Sequence, residues 1–183
     1  MAYKIAIIVG SLREGSLNRR VAKSICAIRG DNLDCSMIEI GDLPLYNQDY
    51  DALSEQPEAY VRFRDEVSSA DGVLFVSPEY NRGIPGVLKN AIDVGSRPYG
   101  KSVFAGKPAA VVSVSPGALG AFGANHHLRQ SLVFLDMPTL QQPEVYLGGV
   151  ANLVDEEGNI TNDGTREFLT KFMAAFAQWI DRI

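Results

Sequence analysis

The segment "VGSLREGSLNRR", Val9 to Arg20, sets three short hydrogen-bonding side chains, Ser11, Ser16 and Asn18, around two glycines, with Arg13 among them. The chemistry open to this set is anion binding. N–H groups at the start of a helix have no intrahelical partner and attract negative charge. Serine hydroxyls can complete the anion's shell, and Arg13 adds planar donors suited to phosphate. A helix terminus alone contributes only about 0.3–1 kcal/mol toward an exposed anion, so tight binding needs the hydroxyls and the guanidinium together. Ser16 or Asn18 could instead do no more than cap the helix. Three donors plus an arginine beside a strand end favour phosphate. The spacing matches neither G-x-x-x-x-G-K-[ST] nor G-x-G-x-x-G.

A second segment, "SPEYNRGIPGVLKNAID", Ser77 to Asp93, carries more chemistry than a strand-to-helix corner requires. Pro78 and Pro85 stiffen it, and Gly83 and Gly86 permit close approach by another group. Tyr80 offers a flat face with a polar tip, and Asn81 an amide. Turn chemistry accounts for the prolines and glycines, but not for Glu79, Tyr80, Asn81 and Arg82 in a row. A third segment, "SVSPGALGAFG", holds Ser113 and Ser115 among small residues that leave room for a planar ligand. One monophosphate pocket and two loops bordering a flat slot suit FMN better than a dinucleotide, which needs a longer phosphate track.

These loops need a frame. Apolar runs alternate with helical spacing along the chain. Strands are predicted over Tyr3–Val9, Asp34–Ile40, Gly72–Val76 and Lys107–Ser115, with a short, weak one between Thr139 and Val145. Helices are predicted through Leu17, Val21, Ile25 and Ile28; through Tyr60, Phe63, Val67 and Ala70; through Val87, Leu88 and Ile92; and through Leu128, Leu132 and Leu135. A closing helix carries Phe168, Leu169, Phe172, Phe176, Trp179 and Ile180 on one stripe, read as core contacts. An irregular polar stretch runs from Gly41 to Gln56. Five strands alternating with five helices predict an α/β, doubly wound, mostly parallel sheet in one domain, 1–183. Ligands of such sheets sit beyond the carboxyl ends of the strands, where strand order reverses. The three segments above are the loops after the first, third and fourth strands.

Composition excludes other classes. The chain has 183 residues, 46% of them hydrophobic and 21% charged, and a net charge of −5, a poor match for nucleic acid. Its two cysteines, Cys26 and Cys35, form no C-x-x-C pair and fit a reducing compartment; no metal motif is present. The apolar run Ile5–Val9 is short for a signal peptide and far too short to span a bilayer, so a cytoplasmic location without membrane association is expected. A phosphatase loop of the Cys-x₅-Arg type is missing. His126 and His127 read as solvated or interfacial rather than catalytic.

"GSLREGSLN", "SPEYNRGIPGVLKNAID" and "HLRQSLVFLD" together resemble the NADPH-dependent FMN reductase family and, within it, the bacterial chromate and quinone reductase branch. The similarity runs from the first strand to "GGV" at Gly148–Val150. It implies a flavodoxin-like three-layer sandwich with a five-stranded parallel sheet of order 2-1-3-4-5, one non-covalent FMN, and a homodimer or homotetramer. By matching position, Ser11, Leu12, Arg13, Ser16, Leu17 and Asn18 would surround the FMN phosphate. Pro78, Glu79, Tyr80, Asn81 and Arg82 would border the ring, closed on its far side by Ser115 and Gly117. The chemistry would belong to flavin N5. NADPH or NADH would deliver hydride, and small-molecule electron acceptors such as quinones or chromate would collect it in a ping-pong cycle, with Arg82 and Tyr80 at the substrate. A flavodoxin-type carrier, or a reductase of azo compounds or free flavin, is the alternative. Where family members often carry Trp directly after "NAID", Val94 stands, which bears on the substrate mouth or the subunit contact. His126 and His127 similarly replace residues expected at the tetramer contact.

Overall fold

The computed structural model describes residues 2–52 and 56–183. Five parallel strands, β1 (Tyr3–Val9), β2 (Leu33–Ile38), β3 (Gly72–Ser77), β4 (Ala109–Val114) and β5 (Val145–Leu147), lie in the order β2-β1-β3-β4-β5. They alternate with α1 (Leu17–Ala27), α2 (Glu58–Ser68), α3 (Gly86–Gly95), α4 (Phe122–Phe134) and α5 (Asp163–Ile180). This is the flavodoxin-like fold that the resemblance implies.

The strand pleat divides the core into two layers, because alternate side chains point to opposite faces. Ile5, Ile7 and Val9 of β1 pack with α1 and α5, while Ala6 and Ile8 pack on the opposite side with α2, α3 and α4. Covered on both faces, β3 and β4 are apolar almost throughout and buried at every position. The aromatic stripe of α5 is core as expected, with Leu169, Phe172, Phe176 and Ile180 buried; Trp179, half-buried, donates its indole N–H to the Pro138 carbonyl.

The fifth strand lies later than predicted. Thr139 makes one isolated bridge with Ala109, after which the chain leaves the sheet and resumes pairing only at Val145. Pro143 has no N–H to give a ladder, and pairing starts only beyond it. Ala70 and Leu135, assigned to helices by their spacing, are buried just beyond the helix ends.

Val94, the position that departs from the family pattern, is fully buried in the layer between sheet and α2–α4. It therefore shapes the core, and neither a substrate mouth nor an exposed subunit contact, contrary to the expectation. Its neighbour Gly95 is packed as tightly: a Cβ there would lie 2.5 Å from Cε2 of Phe104, itself fully buried. Gly95→Ala should cost about 1–3 kcal/mol through overpacking, read as a lower midpoint in urea with an unchanged slope.

The stretch from Gly41 to Gln56, apart from the undescribed residues, contains one 3₁₀ segment, Gln48–Ala52. Asn90 of α3 holds it. Its amide nitrogen donates to the Leu43 and Pro44 carbonyls at 3.2 and 2.9 Å, and its oxygen accepts from Tyr46 N at 2.8 Å. Asn90, although it belongs to the chemistry-rich segment after β3, thus fixes the framework.

Candidate functional site

The strand order reverses between β1 and β3, and there the loops after β1, β3 and β4 converge. They enclose a cavity of about 250 Å³. The loop after β1 and the start of α1 contribute Ser11, Arg13, Ser16, Leu17 and Asn18; the loop after β3 contributes Pro78, Glu79 and Tyr80; the end of β4 and its loop contribute Val114, Ser115 and Pro116; and Val150 completes the lining.

The first loop starts with a close approach. Gly10 N donates to Val76 O at 2.9 Å, and a Cβ on Gly10 would lie 3.2 Å from Leu88 and 3.3 Å from Pro78. Ser16 caps α1, its hydroxyl accepting from Arg19 N at 3.2 Å. The capping alternative therefore holds for Ser16, although the same residue also lines the cavity. It does not hold for Asn18, which is 6% exposed and whose Oδ1 is buried without a hydrogen-bond partner. Ser11 is likewise buried, and its hydroxyl bonds to no other described residue. The first turn of α1 carries no acidic residue to neutralise its N-terminal partial charge. The free N–H groups at the start of α1, with the Ser11 hydroxyl and Arg13 beside them, make this part of the cavity suited to an anionic ligand. The Asn18 –NH₂ group adds two donors that can serve a phosphate. The donor set fits the phosphate of FMN.

The second loop is a two-residue hairpin turn. Tyr80 and Gly83 exchange backbone hydrogen bonds of 3.0 and 2.9 Å, and Asn81 and Arg82 between them sit at φ 51° and 64°. Asn tolerates the left-handed region; Arg there is strained by about 1–2 kcal/mol. The turn carries both side chains away from the cavity wall, and the Arg82 side chain is 77% exposed. Glu79 has two contacts besides the cavity it lines. Its Oε2 accepts from Ala124 N at 2.9 Å, supplying the side-chain cap that α4 lacks at Ala121, and Oε1 faces Arg82 at 3.5 Å. A Cβ on Gly123 would lie 2.9 Å from that carboxylate, so the glycine is what admits it. His127 braces the same loop, its Nδ1 accepting from Ile84 N at 3.4 Å.

Ser115 heads the third loop and accepts from Gly117 N at 3.0 Å. The Gly117 carbonyl takes the N–H groups of Gly120 and Gly149, each at 3.3 Å, so Gly117 knits the wall together from behind. Ser113, noted with Ser115 in the sequence, is fully buried in a network with Gly120 O, Val145 O and Asn125. Beyond this loop the Tyr146 hydroxyl meets His126 Nε2 at 3.0 Å, and the Phe122 ring lies tilted against that histidine at 4.3 Å between ring centres. Burial, with help from Glu144, pushes the Tyr146 phenol up to about 12.

Of the predicted residues, Leu12, Asn81, Arg82 and Gly117 lie outside the wall. Leu12 leans instead toward Gly41, where an added Cβ would meet the leucine side chain at 3.0 Å. Val114, Pro116 and Val150 are additions to the predicted set. Val150 reaches the wall because its N–H bonds Ser115 O at 3.3 Å, a tertiary contact at which only the apolar end of "GGV" hints.

The NADPH-dependent FMN reductase family matches residues 3–152. A quinone reductase of Pseudomonas putida is 59% identical over 97% of this chain and 95% of its own. A 2-hydroxy-1,4-benzoquinone reductase of Burkholderia is 44% identical, covering 98% and 97%. Among solved structures, a flavoenzyme NAD(P)H:(acceptor) oxidoreductase from Paracoccus denitrificans superposes with a TM-score of 0.93 at 39% identity, covering 99% of this chain and 98% of that one.

Proposed function

The chain belongs to the NADPH-dependent FMN reductase family, and from that premise we propose that it reduces quinones, and chromate as a second acceptor, by a ping-pong cycle. As a member it is an oxidoreductase whose cofactor is FMN and whose electron donor is NADPH or NADH. The observation that carries the reading is a helix start free of acidic residues whose Ser11, Arg13, Ser16 and Asn18 line the same cavity as Tyr80. When bound, FMN supplies the group that accepts hydride from the nicotinamide and passes electrons on.

The protein's share is binding and placement. Ser11, Arg13, Ser16 and Asn18, with the free N–H groups of Leu17 and Asn18, would hold the phosphate. Pro78, Glu79 and Tyr80 on one side and Ser115 and Pro116 on the other would flank the ring. Leu12, Asn81 and Gly117 would act through the loop framework. Arg82, exposed at the turn tip near the opening, would meet an anionic acceptor or the donor's phosphates. The ping-pong cycle predicts parallel double-reciprocal lines when NADPH and quinone are varied together. Intersecting lines exclude it.

Arg82→Gly separates the roles. It should relieve roughly 1 kcal/mol of turn strain and raise the midpoint of thermal unfolding, leave FMN affinity unchanged, and raise KM for NADPH and chromate several-fold. Unchanged KM values remove Arg82 from substrate binding. FMN-loaded protein that fails to oxidise NAD(P)H with a quinone present would make this a carrier of flavodoxin type.

The remaining expectations form part of the same reading: one domain, a cytoplasmic location, and a homodimer or homotetramer. The exposed Phe122, Val133 and Phe134 of α4 supply apolar surface for self-association. Among the described residues no helix is long and apolar enough to cross a membrane. Sedimentation velocity distinguishes one, two and four subunits.

A further inference from the structure

His126 and His127 are neighbours on α4 with different surroundings. His126 pairs with Tyr146, whereas His127 turns to the loop after β3. In that loop Asn81 and Arg82 both hold positive φ, 51° and 64°. Two successive non-glycine residues in this region persist only where their surroundings over-determine them. The bridge between Tyr80 and Gly83 is one restraint. α4 supplies two more, within one helical turn of each other. Before the turn, the Glu79 carboxylate accepts from Ala124 N at 2.9 Å, in a gap where a Cβ on Gly123 would lie 3.1 Å from Arg82 O. After the turn, Ile84 N donates to His127 Nδ1 at 3.4 Å, and a Cβ on Gly83 would lie 3.0 Å from the same ring nitrogen. Ile84 is buried, and its N–H has no other partner among the described residues. α4 is a firm platform for both contacts. Leu128 and Leu132 are fully buried, and Asn125, equally buried, donates to the Ser113 hydroxyl of β4 and to Val145 O of β5 at 3.2 and 3.4 Å.

We propose that His127 is a positioning residue for the nicotinamide donor. Its ring clips the far end of the turn to α4 and so fixes Tyr80, which lines the cavity, and Arg82, which stands at the tip. The inference rests on the reading that the chain oxidises NAD(P)H beside this turn. His127 acts through the backbone of the turn and not on the substrate. Without the clip, donor binding must first order the turn, which lowers affinity and leaves the bound complex as reactive as before. The loss should therefore fall on KM for NADPH and spare kcat. Because His127 is exposed, substitutions there leave the core closed.

The test compares His127→Phe, which keeps a ring but has no acceptor, with His127→Asn, whose Oδ1 takes the place of Nδ1. In the apoprotein, amide exchange followed by NMR should be about three- to tenfold faster at Ile84 N in His127→Phe and should return to the wild-type rate in His127→Asn. With FMN in excess, His127→Phe should raise KM for NADPH about three- to tenfold at a kcat within about twofold of wild type, and His127→Asn should restore KM. Unchanged exchange at Ile84 N in His127→Phe, or an equal rise of KM in the two variants, overturns the proposal. A wild type that oxidises no NADPH overturns the functional reading itself, whereas a working wild type matched in KM by His127→Phe overturns this inference alone.

Discussion

Asn18→Asp should weaken FMN binding by about 100-fold or more, since a lost hydrogen bond to a charged group costs about 1.5–3 kcal/mol and each 1.4 kcal/mol is tenfold. The substitution keeps the shape of the side chain and exchanges a donor for a carboxylate at a position only 6% exposed. Repulsion between two poorly solvated anions then adds to the lost bond. The Ser16 hydroxyl and Arg13 already have places of their own in the proposed phosphate shell, so neither replaces the missing donor in full. The measurement is quenching of flavin fluorescence on titration of the apoprotein. Riboflavin, which lacks the phosphate, should bind the wild type and the variant alike. Equal FMN affinity in the two proteins would place the phosphate elsewhere.

The second large effect lies in the framework. Arg64 of α2 and Asp51 are 11% and 13% exposed and 3.5 Å apart. Arg64 also donates to Val94 O at 3.0 Å and to Gln56, and its guanidinium lies 5.4 Å from the Tyr60 ring centre. Asp51 in turn accepts from the Tyr46 hydroxyl at 2.7 Å. Burial, with Asp51 beside it, raises the Tyr46 phenol above its usual value. Removing one partner strands a carboxylate with little water around it. Arg64→Ala should therefore cost about 3–5 kcal/mol, seen as a large fall in the unfolding midpoint. Arg64→Lys should recover little, because an ammonium cannot serve the Val94 carbonyl, Gln56 and Asp51 from a planar fork. The pair Arg64→Met with Asp51→Leu should recover most of the loss, since an apolar replacement leaves no unpaired charge. Stability of the single variant equal to wild type would mean that water reaches Asp51.

The sequence alone determined the frame and the chemistry of the phosphate end. Buried parallel strands must be apolar on both faces, so "YKIAIIV" and "GVLFV" are legible as strands without any structure. Ser11, Ser16 and Asn18 stand out because a helix start needs polar groups of that kind within a few residues. The weak fifth strand is misplaced by its pattern because a run through Pro143 looks extended whether or not it pairs.

Only the tertiary structure separated wall from scaffold. Glu79 reads like a ligand-facing charge, yet its Oε2 caps a helix that begins more than 40 residues later, through a gap opened by Gly123. Asn90 looks like part of a binding motif and turns out to anchor another loop, while Val94 lies in the core. Sequence order records which groups a loop carries. Which of them face the ligand depends on contacts between segments far apart in the chain, formed only once the sheet has twisted and the two core layers have closed.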